Sequence, residues 1–233
     1  MRTALCKLAV FALTAHGLQA AAGESSKSLQ STNTQHLDFP SGGTLRLDKS
    51  IGELKLEAWD QPGVEITTVK WVKIKGDKPP KATAKDLDKI NVKADRKDNE
   101  IVVSTSFPKH NVILQPFTGL SDFELEYRIK APKDAKLAID HQIGEIHIAG
   151  FAGDIHATNG MGQITVAVVP GTQYAIDARS KLGAIDSDTE GKEKKRLKFG
   201  HTFVSQSQNA KKLYLRIGSG DITILDTPTP VQK

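Results

Sequence analysis

Ile143-Gly144-Glu145-Ile146-His147-Ile148, Ala152-Gly153-Asp154-Ile155-His156-Ala157 and Met161-Gly162-Gln163-Ile164-Thr165-Val166 are one short unit written three times, its glycine returning every nine residues. Each unit is a glycine, a polar residue, a branched apolar residue, a polar or small residue, and usually another apolar one. That is a turn leading into a half-buried strand, because successive strand side chains point to opposite faces. Repetition at a fixed interval outranks other sequence signals, since each unit buries its apolar face only against its neighbours.

Working outward, the unit recurs at Ile51-Gly52-Glu53-Leu54, Leu182-Gly183-Ala184-Ile185 and Ser219-Gly220-Asp221-Ile222. A strand of about five residues plus a turn takes roughly nine, half a circuit of a flattened coil with two facing sheets. The spacing therefore predicts an all-β fold, a solenoid-like stack of short strands forming a flattened β-helix or roll with 18-residue rungs. In such a rung Ile146 and Ile164 stack in one sheet, Ile155 packs from the other, and the glycines occupy corners where a side chain would clash. The longer interval from Gly162 to Gly183 predicts a rung with a wider loop. An antiparallel β-sandwich is the alternative, because short strands with glycine turns mark that fold too.

The same alternation places strands at Thr44–Leu47, Val64–Ile74 and Phe123–Ile129, at Leu137 with Ile139, and at Tyr174 with Ile176 and Ala178. Ile90–Ala94 and Glu100–Thr105 predict a hairpin about Asp98-Asn99, residues that tolerate the turn conformation. Pro108 and Pro116 bracket a loop carrying His110, Leu114 and Phe117, read as a flap over an end of the core.

Composition and the ends of the chain set the class. The 233 residues are 38% apolar and 25% charged, enough to bury a core. Arg2 and Lys7, the apolar run Leu8–Leu13 and the small residues Ala20–Gly23 resemble a secretory signal peptide over 1–22. Residues 23–36 read as a flexible polar linker, 37–226 as the β domain and 227–233 as a disordered tail. Export to the periplasm or the extracellular space follows. No other segment approaches the roughly 20 apolar residues of a membrane span.

The only cysteine, Cys6, lies inside that leader, so a processed chain has no disulfide, thiolate metal site or cysteine nucleophile. Without Arg2 and Lys7 the chain holds 30 basic against 27 acidic residues, a net of +3, too balanced for a nucleic-acid partner. The basic run Lys192–Lys198 interleaves with acids and reads as a solvated loop.

The segments Phe39-Pro40-Ser41-Gly42-Gly43-Thr44-Leu45, Ile51-Gly52-Glu53-Leu54, Tyr127–Ala135 and the glycine-acid-isoleucine units near 144–157 resemble a bacterial putative-adhesin family of exported envelope proteins. The resemblance spans most of residues 37–225. It implies a right-handed, all-β, solenoid-like fold and brings no catalytic set.

His147 and His156 follow their glycines at equivalent places, yet an 18-residue rung puts them on opposite sheets, with Thr165 beside His147, so they read as surface histidines and not as a metal pair. Glu53, Glu145, Asp154 and Asp221 follow glycines too, but a calcium nonapeptide needs more glycine and a second oxygen ligand per repeat, so turn chemistry explains them. Asp177, Arg179, Lys181, Asp186 and Asp188 are the densest mix of acids and bases, and paired carboxylates there would suit glycoside cleavage. No nucleophile elbow, zinc-protease motif or phosphate loop accompanies them. The expectation is a non-catalytic exported protein with an extended β surface, without metal or cofactor, binding a cell-envelope glycan or protein. A polysaccharide lyase or hydrolase on the same scaffold is the alternative.

Overall fold

The computed structural model describes residues 30–72, 87–106, 123–195, 200–208 and 210–226. Its strands are β1 (Gln30–Leu37), β2 (Thr44–Trp59), β3 (Val64–Val72), β4 (Asn91–Lys97), β5 (Glu100–Ser106), β6 (Phe123–Pro132) and β7 (Lys136–Ala149). They continue as β8 (Ile155–Ala167), β9 (Tyr174–Leu182), β10 (Ile185–Ser187), β11 (Lys192–Lys195), β12 (His201–Ser205) and β13 (Lys211–Leu225). All belong to one mixed sheet, ordered β1-β3-β6-β2-β7-β8-β13-β9-β12-β11, with the β4–β5 hairpin beside β2 and β10 beside β13. The chain is all-β, and its sheet is open.

The long strands cannot be straight. β7 and β8 run parallel in register, Leu137 beside Ile155 and Ile148 beside Val166. Only residues 150–154 join them, a reach of about 20 Å at most, whereas a straight strand of 14 residues is roughly 46 Å long. β7 must therefore turn back on itself at its middle, where Gly144 sits at φ +132°. Gly52, Gly162, Gly183 and Gly220 share that left-handed backbone. Parallel pairing aligns Gly52 with Gly144 with Gly162 with Gly220 across β2, β7, β8 and β13. Gly183, between β9 and β10, comes next, since a Cβ on it would meet the Gly220 carbonyl oxygen at 2.1 Å.

This glycine column divides each long strand into a first and a second arm. First arms pair with β5 and β9, second arms with β6 and β10. Leu45, Leu137, Ile155 and Leu213 of the first arms and Leu54, Ile146, Ile164 and Ile222 of the second all join one buried cluster. The two arms thus enclose a single core in a sandwich-like arrangement.

Several expectations match this register. Ile146 neighbours Ile164, while Ile155 neighbours Leu137 in the other arm. β4 and β5 form the hairpin, with Asp98 at φ +52° in its turn. Three others are corrected. Gly153 precedes β8 and is no member of the column, which repeats at the expected 18 residues from Gly144 to Gly162. The interval from Gly162 to Gly183 is not one wider rung, because β13 inserts between β8 and β9 and pairs in parallel with both. Residues 30–36 of the expected linker are strand: β1 pairs antiparallel with β3, Gln30 beside Trp71 through Leu37 beside Val64. Its side chains are polar because an edge strand needs backbone partners more than a core face. The leader, the segment with His110, Leu114 and Phe117, and the tail from 227 lie outside the described residues. Among the described residues no helix is long and apolar enough to cross a membrane.

Polar side chains at the corner donate to the carbonyls of its glycines. His141 Nε2 donates to the Gly52 oxygen at 3.0 Å, Asn159 Nδ2 to that of Gly144 at 2.8 Å, and Ser180 Oγ to that of Gly220 at 2.9 Å. Since Nε2 carries the proton, Nδ1 of His141 accepts from the Ser50 hydroxyl at 2.7 Å. Ser180→Ala removes the hydroxyl donor from the part-buried Gly220 carbonyl and is expected to cost about 1–2 kcal/mol. A urea midpoint unmoved by that substitution would show that the bond adds nothing.

Candidate functional site

Where β6 meets the corner, residues far apart in sequence frame a cleft of roughly 420 Å3. Its walls are Ile51, Gly52 and Glu53 of β2, Trp71 of β3, Phe123, Glu124 and Leu125 of β6, and Ile143, Gly144 and Glu145 of β7, with Ile90 at one end. Trp71 is half-buried, and its Nε1 donates to a Glu124 carboxylate oxygen. The cleft therefore offers an indole, apolar groups and three carboxylates, Glu53, Glu124 and Glu145.

Charge along its border is organised by lateral register. Parallel pairing places Glu126, Glu53, Glu145, Gln163 and Asp221 in one row across β6, β2, β7, β8 and β13. The next row on that face is Arg128, Lys55, His147, Thr165 and Thr223. Lys55 Nζ bridges Glu53 Oε1 at 2.8 Å and Glu126 Oε1 at 3.0 Å. The Arg128 guanidinium, bonded to both oxygens of Glu126, holds that buried carboxyl below its ordinary range against the opposing effect of burial, with Lys55 assisting. His147 Nε2 lies 3.2 Å from Glu145 Oε2. Glu53, Glu145 and His147 have ligand atoms within 4.8 Å of one another.

The acid and base mix singled out from sequence does not converge. Asp177 lies on the first-arm side, beside Tyr214, and Asp186 on the second-arm side, beside Thr223. Asp177 is engaged by Arg179 at 3.2 Å and Arg216 at 2.6 Å. Burial opposes ionisation of Asp177, but the two guanidinium groups outweigh it and its pKa is lowered. Asp188 accepts a bond from the Asp226 amide and lies at the end of the second arm. His156 and His147 stand on different arms; His156 stacks on Tyr214 with ring centroids 4.2 Å apart, and the Arg216 guanidinium lies over that tyrosine at 3.6 Å. Burial, then Arg216 and Arg46, lower the His156 pKa. Asp154 and Asp221 do not bond within their own turns as expected; they tie neighbouring segments of the sheet together, accepting from the Lys212 and Ala184 amides at 2.9 and 2.7 Å.

A second concavity, roughly 460 Å3, lies among Val168–Tyr174, Thr189, Glu190, Ser205 and Asp226. Its aromatic residue is already committed, since the Tyr174 hydroxyl donates towards the Phe151 and Gly153 carbonyls.

Sequence reading passed over the first cleft because Trp71, Phe123 and Glu124 belong to strands outside the repeat. The usable signal was the recurrence of glycine followed by an acid at both Gly52 and Gly144. Parallel stacking of those two units is what brings Glu53 and Glu145 side by side.

No protein-family model matches the chain, and no curated protein matches it by sequence. Among solved structures, a "putative cell adhesion protein" from Clostridium sporogenes is 14% identical, with a TM-score of 0.50 over 84% of this chain and 99% of that one. A "putative adhesin" from Bacteroides fragilis is 12% identical, with a TM-score of 0.28 over 84% of this chain and 97% of that one. The similarity of this chain to the Clostridium protein is a likeness of fold.

Proposed function

We propose that the protein is a non-catalytic, exported envelope protein that binds a glycan in the cleft between β3, β6 and the glycine corner. The observation that carries this reading is the half-buried Trp71 beside the carboxylates of Glu53, Glu124 and Glu145. Sugar rings present apolar C–H faces and a rim of hydroxyls. An indole covers the first and carboxylates accept from the second, the mixture of apolar walls and few polar groups that small-molecule sites use. The leader-like residues 1–22 support export to the periplasm or beyond. The name of the Clostridium protein agrees with an adhesin-like surface role, and the 18-residue register with the solenoid-like description.

A glycan-array screen with product analysis tests the proposal on wild type, Trp71→Ala and Asp177→Asn. Binding without turnover, weakened about tenfold or more by Trp71→Ala and unchanged by Asp177→Asn, is the expected result. Turnover of a polysaccharide would instead favour the enzymatic alternative, with the cleft carboxylates as its acids. Binding that ignores Trp71, or a screen empty of glycans, would move the search to a protein partner on the open strand faces.

A further inference from the structure

We propose that Glu53, Glu145 and His147 form a binding site for a divalent transition-metal ion of the zinc class. The three ligand atoms already lie within 4.8 Å of one another, close enough for modest side-chain rotations to place them about one ion. Their positions follow from the backbone. Glu53 and Glu145 are direct neighbours on parallel β2 and β7, and His147 is two residues beyond Glu145, on the same face of the same strand. Two carboxylates and one imidazole are a donor set suited to zinc, which takes nitrogen and oxygen ligands, and ill suited to calcium, which prefers oxygen alone.

The charge around the set is compatible with a cation. Lys55 occupies Oε1 of Glu53 and His147 approaches Oε2 of Glu145, so each carboxylate keeps a second oxygen for an ion. Lys55 retains Glu126 as a partner if Glu53 turns toward the metal. The two glutamates also line the Trp71 cleft, so a metal held by the three side chains would lie at its border. The site stands on these residues whether or not the cleft takes a sugar. Neither the histidine spacing nor the calcium-repeat pattern marks this set in the sequence, because it mixes two strands and two residue types.

The test is isothermal titration of the untagged, chelator-stripped protein with Zn2+ and, separately, with Ca2+. Wild type, Glu145→Gln, His147→Ala and the control His156→Ala are compared. These side chains are at least partly exposed, so circular dichroism is expected to report the same fold in all four. The expected outcome is saturable uptake of one Zn2+ per chain, weakened about tenfold or more by Glu145→Gln and by His147→Ala. His156→Ala should leave it unchanged, and Ca2+ should bind far more weakly. Absence of saturable Zn2+ uptake, or an affinity unchanged by both site substitutions, would overturn the proposal. So would Ca2+ held as tightly as Zn2+.

Discussion

Gly162→Ala is expected to destabilise the protein by about 3–5 kcal/mol, combining left-handed backbone strain with overpacking. The residue sits at φ +135°, and an added Cβ would lie 1.9 Å from the carbonyl oxygen of Gly144 and 2.7 Å from its carbonyl carbon. Neither obstacle is a flexible side chain that can swing aside. The neighbouring glycines face the same geometry, with 1.8 Å for Gly144 against Gly52 and 1.7 Å for Gly220 against Gly162. A shift that relieved one clash would press the next strand, so the column resists local relaxation. Gly171→Ala is the matched control. Its φ of +81° is also left-handed, but nothing lies within 4 Å of the added carbon, so only the backbone term of about 1–2 kcal/mol applies. Urea unfolding of both variants reads the difference. Equal losses would mean that close approach of the strands contributes nothing and that the column is only a set of turns.

The same column explains what could be read from the sequence and what could not. Each corner glycine, including Gly52, Gly183 and Gly220, was visible because a tight bend against a neighbouring backbone admits no other residue. The alternation that follows each one told which of Ile146, Ile164 and Ile222 face the core. Strand order was not visible. β8, β13 and β9 carry nearly the same apolar pattern, and nothing local to Leu213–Ile224 says that it inserts between two strands that precede it in the chain. Gly153 misled for a related reason. It is kept small by the Ala135 carbonyl oxygen, 2.1 Å from where a Cβ would stand, so close backbone approach produced the same glycine-acid-isoleucine spelling without the corner. β1 escaped notice because pairing an edge requires backbone groups and not side chains of any type.

The cleft was less legible still. Its parts come from Trp71, Phe123–Leu125 and two corner glycines on four strands, joined only by non-local pairing. Asp177 and Asp186 were close in sequence and are separated because Gly183 lies between them and sends the chain from one arm to the other. Proximity along a chain that bends at each corner glycine is a poor guide to proximity in space.

That bend also carries an acid sensitivity, and it can be removed with one substitution. His141 is 1% exposed, and burial, against the bonds to backbone and the charge of Asp140, depresses its pKa from the ordinary 6.5 to about 4. Above pH 6.5 the imidazole is neutral in folded and unfolded chains alike, and pH has no hold on it. As pH falls from 6.5 toward 4, the unfolded chain takes up a proton that the folded one refuses, so stability declines; the loss approaches about 3 kcal/mol and is complete below pH 4. Asn159 stands beside His141 in the parallel register and satisfies its own glycine carbonyl through an amide. An amide does not titrate. His141→Asn can therefore keep a donor for the Gly52 oxygen while removing the proton-linked penalty. Urea unfolding at pH 7 and at pH 4.5 should show wild type losing about 2–3 kcal/mol more than the variant across that interval. The carboxylates, Glu126 and Asp177 among them, titrate in both proteins and cancel in the comparison. Equal losses in the two would place the acid sensitivity on those carboxylates instead, and would mean that the imidazole at the corner keeps, or is given, access to a proton in the folded state.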